Sequence, residues 1–196
     1  SYPIGVEIGV TGASDRLTRV GIGWRHQIAE AVSGDPEAHY RGTVVLQDKK
    51  VVRELASALS GAQARVSDAP VGWVGYADHY FLAALIPADP AVTRATVSPE
   101  NGGVQLLLSS ARPAGDAPAR FTIYVGPKDV ALLEAAGSKL DRAVDFGWFS
   151  FLAIPLLRLM KLFNSVTGNY GIDIILLTIL IKVLFIPLTN RSMKSM

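Results

Sequence analysis

The 196-residue chain contains no cysteine, which excludes a disulfide framework, a thiolate zinc site and a cysteine nucleophile together. Charge of one sign is also lacking: 19 Lys and Arg stand against 17 Asp and Glu, a net of +2. No basic field exists to hold nucleic acid, so nucleic acid is not an expected partner. There is no internal repeat, no signal-peptide pattern and no initiator Met before Ser1, and both ends read as cut rather than natural. No nucleophile, acid pair or metal-ligand spacing can be placed, so neither an enzyme nor a cofactor or metal is expected. What the chain does have is 49% apolar residues with 18% charged, enough to build a packed core. Up to about Leu140 the apolar residues are interleaved with polar ones, and after Phe146 they crowd together. Two solvents are implied.

In the first part Tyr2, Ile4, Val6, Ile8 and Val10 alternate with Pro3, Gly5, Glu7, Gly9 and Thr11, the period of a half-buried strand. Residues 17–24 alternate less cleanly, with Val20, Ile22 and Trp24 on one side, and are expected to form its paired strand. Residues 44–46 and 71–76 are short β-prone runs, while residues 48–59 fit either a helix or a strand with a turn. Residues 80–86 form a continuous apolar run closed by Pro87. Val104, Leu106 and Leu108 follow the turn residues Asn101, Gly102 and Gly103, and Phe121, Ile123 and Val125 precede Gly126 and Pro127. Short strands separated by Gly/Pro-rich turns predict an antiparallel β-sandwich. Asp129 is placed to N-cap a helix that shows Val130, Leu133 and Leu140 on one face and is weakened by Gly137.

Residues 146–163 are apolar but interrupted by Ser150, Pro155, Arg158 and Lys161. The two basic residues, three apart, share one side of a helix, and Asn164 and Ser165 extend that side although Ile154 and Leu157 intrude on it. Trp148, Phe149, Phe151 and the leucines give a broad opposite surface. This pattern suits a helix in the headgroup layer, with Trp148 at the water boundary and Arg158 and Lys161 toward lipid phosphates; the other reading is a buried helix of a soluble core. Residues 172–188 have only Asp173, Thr178 and Lys182 as polar side chains. At about 1.5 Å per residue they reach roughly 25 Å, so they only just span a hydrocarbon layer of about 30 Å. Tyr170 before the run, with Arg191 and Lys194 after it, are interfacial anchors. Arg158 and Lys161 balance the latter pair, so charge leaves orientation open.

Lys182 lies halfway along this run, where a lysine costs about 2.5–3.5 kcal/mol on insertion scales. Gly171, Thr178, Lys182 and Thr189 fall on one stripe roughly 40° wide. Such a stripe is expected to face a wet, protein-lined cavity, or else the lysine snorkels along its stem to an interface.

Val144-Asp145-Phe146-Gly147-Trp148-Phe149, Pro155-Leu156, Gly168-Asn169-Tyr170-Gly171, Thr178, Lys182, Pro187-Leu188-Thr189 and residues 192–196 follow one another in order and spacing. In this they resemble the YidC family of membrane-protein insertases at its interfacial helix and the next transmembrane helix. Gly72-Trp73-Val74-Gly75, Asp78-His79-Tyr80-Phe81, Ile86-Pro87 and Val125-Gly126-Pro127-Lys128 are similar to segments of the periplasmic domain in Gram-negative members.

The resemblance implies a mainly β periplasmic sandwich, supersandwich-like, followed by an interfacial α-helix and one transmembrane α-helix. The expected boundaries are residues 1–143 for the partial periplasmic domain, 144–168 for the interfacial helix, 169–189 for the transmembrane helix and 190–196 for the start of a cytoplasmic loop. It further implies insertion and folding of inner-membrane proteins through a hydrophilic intramembrane groove, with nascent membrane-protein segments, the lipid bilayer and the Sec translocon as partners. Lys182 and Thr178 match groove positions; the family more often carries arginine at the former, and lysine keeps the charge but loses the planar fork.

Asp78-His79-Tyr80 departs from the family, which usually has lysine in the middle. Neighbours on a strand point to opposite faces, so Asp78 and His79 are not expected to act as a catalytic dyad. Trp24, Trp73 and Tyr76 are candidates for stacking on sugars, with core or turn packing the alternative. The competing function is a membrane-anchored β-sandwich that binds glycan or a protein partner.

Overall fold

The computed structural model describes residues 3–11, 17–27, 41–55, 58, 63–68, 70–100, 103–113, 117–145 and 150–194, with the backbone alone at Ser150, Ile154 and 187–194. The chain divides into two compact units, Ser1–Val144 and Asp145–Met196.

In the first unit the described strands are β1 (Pro3–Ile8), β2 (Arg19–Gln27), β3 (Gly42–Gln47), β4 (Lys50–Leu55), β5 (Arg65–Ser67), β6 (Val71–Ala77), β7 (Phe81–Pro87), β8 (Thr93–Glu100), β9 (Gly103–Ala111) and β10 (Ala119–Pro127). They form a six-stranded sheet in the order β1-β10-β7-β6-β3-β4 and a four-stranded sheet in the order β2-β9-β8-β5. The expected pairing of the first two strands is not found. β1 lies antiparallel to β10, with Val6 opposite Phe121, and β2 lies antiparallel to β9, with Trp24 opposite Leu106. Alternation fixes which face of a strand is buried but not its neighbour, and both strands here found partners distant in sequence. Residues 48–55 resolve as a hairpin, since Asp48 and Lys49 take positive φ and the chain returns as β4 along β3. Two left-handed residues suit the twist of a two-residue β-turn.

The inner faces meet in a core that includes Val20, Val45, Val74, Leu85, Val97, Val104, Leu106, Leu108 and Phe121. A second cluster, with Leu46, Trp73, Leu82, Ile86 and Tyr124, lies on the opposite face of the six-stranded sheet. The difference explains the sequence pattern. The run 80–86 belongs to a sheet covered on both faces, whereas β9 alternates because the other side of its sheet meets solvent. Gly72 is the extra residue at a bulge where the register slips between Leu46/Trp73 and Gln47/Val71; a Cβ there would come within 2.7 Å of Leu46 Cδ2.

The second cluster is covered by α1 (Val130–Ala136) and a 3-10 turn, Leu140–Ala143. Asp129 caps α1 as expected, its side chain accepting from the N–H groups of Ala131 (2.9 Å) and Leu132 (3.1 Å). Leu140 does not continue that helix. Gly137 ends it at φ 79°, and Leu133 and Leu140 reach the same cluster from separate elements. Two arginines then bracket the chain. Arg142 Nη1 donates to the Lys49 carbonyl at 2.7 Å, and Arg53 Nη2 donates to the Arg142 carbonyl at 2.8 Å. The 3-10 turn is thereby tied to the β3–β4 hairpin.

The second unit is a helical hairpin of α2 (Ser150–Thr167) and α3 (Tyr170–Lys194). On α2 the partly buried positions are Ala153, Leu156, Leu157, Leu159, Met160, Phe163, Asn164 and Thr167; on α3 Asp173 is buried and Leu177 and Ile181 are partly buried. The spacing of three and four is that of packed helix faces.

Candidate functional site

Thr178 and Lys182 lie one turn apart on α3, and both are exposed within this unit. The Thr178 hydroxyl donates to the Ile174 carbonyl at 2.7 Å, one turn back in its own helix. Its proton is therefore engaged, and the side chain offers a lone pair outward. The other two members of the polar stripe differ in what is described: Gly171 is exposed, and Thr189 is known by its backbone alone. Around the stripe Ile174, Ile175, Ile179, Val183, Leu184, Phe185 and Ile186 are all exposed large apolar residues. Among the described residues no helix is long and apolar enough to cross a membrane.

Of the expected interfacial anchors, Arg158 and Lys161 are exposed on α2 and Tyr170 is 61% exposed at the start of α3. Trp148 lies outside the described residues. Asn164 departs from its expected place beside the two basic residues. It turns onto α3, where its Nδ2 donates to Asp173 Oδ2 at 2.8 Å. Asp173 is fully buried, and its other carboxylate oxygen accepts from the Thr167 hydroxyl. Sequence reading placed Asp173 only as a polar residue near the end of an apolar run. The signal that identifies it is the flanking Thr167-Gly168-Asn169, a helix stop and start within reach of a carboxylate.

In the β unit Asp78 is a turn-former. Its Oδ1 accepts from the N–H groups of Tyr80 (2.8 Å) and Phe81 (2.6 Å), while Lys128 Nζ donates to the Asp78 carbonyl at 2.9 Å. Asp78 and His79 lie in the turn between β6 and β7 and not on a strand as expected, and His79 packs edge-on against Tyr80. The three aromatic candidates for sugar stacking are engaged. Trp73 is wholly buried, Trp24 packs against the inter-sheet core, and Tyr76 is 6% exposed with its ring centroid 4.0 Å from that of His26. Burial lowers the pKa of His26 against an opposing pull from Asp78, and burial raises that of Tyr76. A cleft of about 390 Å³ lies elsewhere on this unit, lined by Leu46, Lys49, Gly72, Ile86, Pro87 and Lys139 among others. None of the residues singled out for function lines it, although Gly72, Ile86 and Pro87, which carry the resemblance, do.

Comparison with known proteins agrees with both units. The family described as YidC periplasmic domain matches residues 1–159. A membrane protein insertase YidC of Geotalea daltonii is 39% identical over 180 residues, covering 89% of this chain and 33% of the relative. The protein of the same name in Syntrophus aciditrophicus is 36% identical over 203 aligned residues, covering 100% of this chain and 37% of the relative. That of Geobacter sulfurreducens is 40% identical over 155 residues, covering 76% and 29%. The chain thus spans about a third of the length of these relatives. With a periplasmic-domain match over the whole β unit and the first turns of α2, and a relative that aligns with the full chain including α3, the chain belongs to the YidC family.

Proposed function

We propose that this chain is the periplasmic and first membrane-spanning part of an inner-membrane insertase that helps membrane-protein segments enter and fold in the bilayer. Residues 1–143 form the periplasmic portion, 144–168 the interfacial segment, 169–189 the span and 190–196 the start of a cytoplasmic loop in a multi-pass protein. The observation that carries the reading is Lys182, exposed with Thr178 on a helix whose other exposed residues between 172 and 186 are apolar. An ammonium at that depth needs water or protein around it. The apolar run 172–188 of α3, roughly 25 Å long, is short for a bilayer, and a short run with a polar middle suits the wall of a hydrated groove rather than a tether.

In this reading Lys182 attracts acidic parts of an incoming segment and Thr178 accepts a hydrogen bond from it, which lowers the cost of moving polar groups through the membrane. Arg158 and Lys161 meet lipid phosphates, while Trp148 and Tyr170 sit at the boundary with water. The nascent chain reaches the groove alone or from the Sec translocon. No covalent step is required.

The test uses the full-length protein. Lys182→Ala is expected to slow insertion of substrates with acidic translocated tails by about ten-fold, equivalent to about 1.4 kcal/mol of barrier, while Lys182→Arg stays near wild type. Normal insertion of every substrate by the alanine variant removes the role of Lys182. The competing reading, a β-sandwich that binds glycan or protein with α3 as a mere tether, has lost its stacking candidates to packing. It requires that a polyleucine α3 complement fully, whereas the insertase reading requires that it fail.

A further inference from the structure

The corner between α2 and α3 contains a buried carboxylate that the proposed groove does not use. Asp173 has no exposed surface, and no lysine or arginine among the described residues forms an ion pair with it. A carboxylate in such a place needs donors for its oxygens. Both donors come from the last turns of α2: Asn164 Nδ2 at 2.8 Å to Oδ2 and the Thr167 hydroxyl to Oδ1.

The same few residues finish one helix and start the next. Gly168, at φ 64°, donates its N–H to the Asn164 carbonyl at 2.9 Å, the left-handed ending that glycine favours. Asn169 Oδ1 accepts from the Gly171 N–H at 2.9 Å, and the Asn169 N–H reaches the Thr167 hydroxyl oxygen at 3.3 Å. The Asp173 N–H donates to the Asn169 carbonyl at 3.1 Å. Space is tight as well, because a Cβ on Gly171 would lie 3.1 Å from Asn169 Oδ1. Asp173 also stands in the first turn of α3, where the helix dipole favours a negative charge.

We propose that Asp173 is a positioning residue whose carboxylate, gripped by Asn164 and Thr167, locks the end of α2 to the first turn of α3 so that the two helices hold one fixed crossing. Ordinary helix packing leaves a hairpin free to pivot about its turn. Two side-chain bonds from one helix to a single buried acceptor on the other remove that freedom, since any pivot leaves a buried carboxylate oxygen unpaired. The inference rests on the insertase reading in one respect: the locked crossing is what holds α3, with Lys182 and Thr178, at a constant setting relative to the surface helix. An acceptor with a second polar arm can substitute. In Asp173→Asn the remaining oxygen keeps one donor, and the new amide can pair with Asn164 turned over or with the Thr167 oxygen, whereas Asp173→Ala offers neither.

The test is made on the full-length protein in lipid vesicles, with spin labels on cysteines introduced at Leu152 of α2 and Val183 of α3, both exposed. The distance distribution between the labels is expected to be single and narrow for the parent and for Asp173→Asn, and at least twice as broad for Asp173→Ala. Should the Asp173→Ala protein fail to accumulate, Asn164→Ala and Thr167→Val serve in its place and are each expected to broaden the distribution. An unchanged width for the alanine variants, or equal broadening by Asp173→Asn, overturns the proposal. Insertion is measured alongside. A several-fold loss in Asp173→Ala that Asp173→Asn restores is expected. Lys182→Ala is expected to leave the distance distribution narrow. Failure of Lys182→Ala to impair insertion would count against the groove alone, and an unchanged distribution in Asp173→Ala against the lock alone.

Discussion

Trp73 fills the outer core of the six-stranded sheet with no exposed surface, yet its indole Nε1 finds no acceptor among the described residues. Its contribution is therefore apolar volume, and the two obvious replacements should separate sharply. Trp73→Ala is expected to destabilise the β unit by about 3–5 kcal/mol. Trp73→Phe should cost clearly less, because no hydrogen bond is lost with the ring nitrogen; chemical unfolding followed by circular dichroism measures both. His26 gives a pH dependence. Burial against Tyr76 lowers its folded pKa below the ordinary value near 6.5. The unfolded chain then binds the proton first as pH falls, so stability drops below about pH 6.5 and levels off once the folded histidine also titrates. A Tm series from pH 7.5 to 5 should show that fall, and His26→Gln should flatten it. Among single residues, Lys182 stands out in the sequence as a candidate because a cation in an apolar run is a local anomaly. Asn164 was not: its sequence neighbours make it look like surface, and only the arrival of Asp173 from the next helix turns it inward.

Elements show the same division between local and distant information. Alternation in β9 and continuity in the 80–86 run correspond to one covered face and two, and those patterns are written residue by residue. Partners are not. β1 joins β10 across more than a hundred residues, and nothing in the period of a strand names its neighbour. Helix ends were half visible. Asp129 was read correctly as a cap, while Gly137 was read as a weak point and is the terminus. Asp129→Ala is expected to cost about 1 kcal/mol in the stability of the β unit. Gly168→Ala, forced into the left-handed region, is expected to cost roughly 1–2 kcal/mol and to broaden the distance distribution between α2 and α3 as well. A thermal scan with the same labelled pair checks the two effects together.

On the scale of the whole chain, the two core clusters both lie in the β unit, while the second unit is a compact body of its own held by the facing sides of α2 and α3. Damage inside one is therefore expected to stay there: Trp73→Ala should lower the melting temperature of the β unit and leave the distance between labels at 152 and 183 unchanged. A shift in that distance would show that the units depend on one another. The composition changes near the same place, with interleaved residues before about 140 and crowded apolar ones after 146, a change that is legible in the sequence even where topology is not.

The bracketed end of the β unit bears on mechanics. Leu140 and Ala143 are sunk in the outer core, Arg142 grips the Lys49 carbonyl, and Arg53 grips the carbonyl of Arg142. A tug arriving through Val144 must first extract that plug and break the guanidinium contacts before any strand ladder is strained. The stretch behaves as a moored cable end, so force arriving from the C-terminal side is spread over the β3–β4 hairpin instead of peeling the sandwich open one strand at a time.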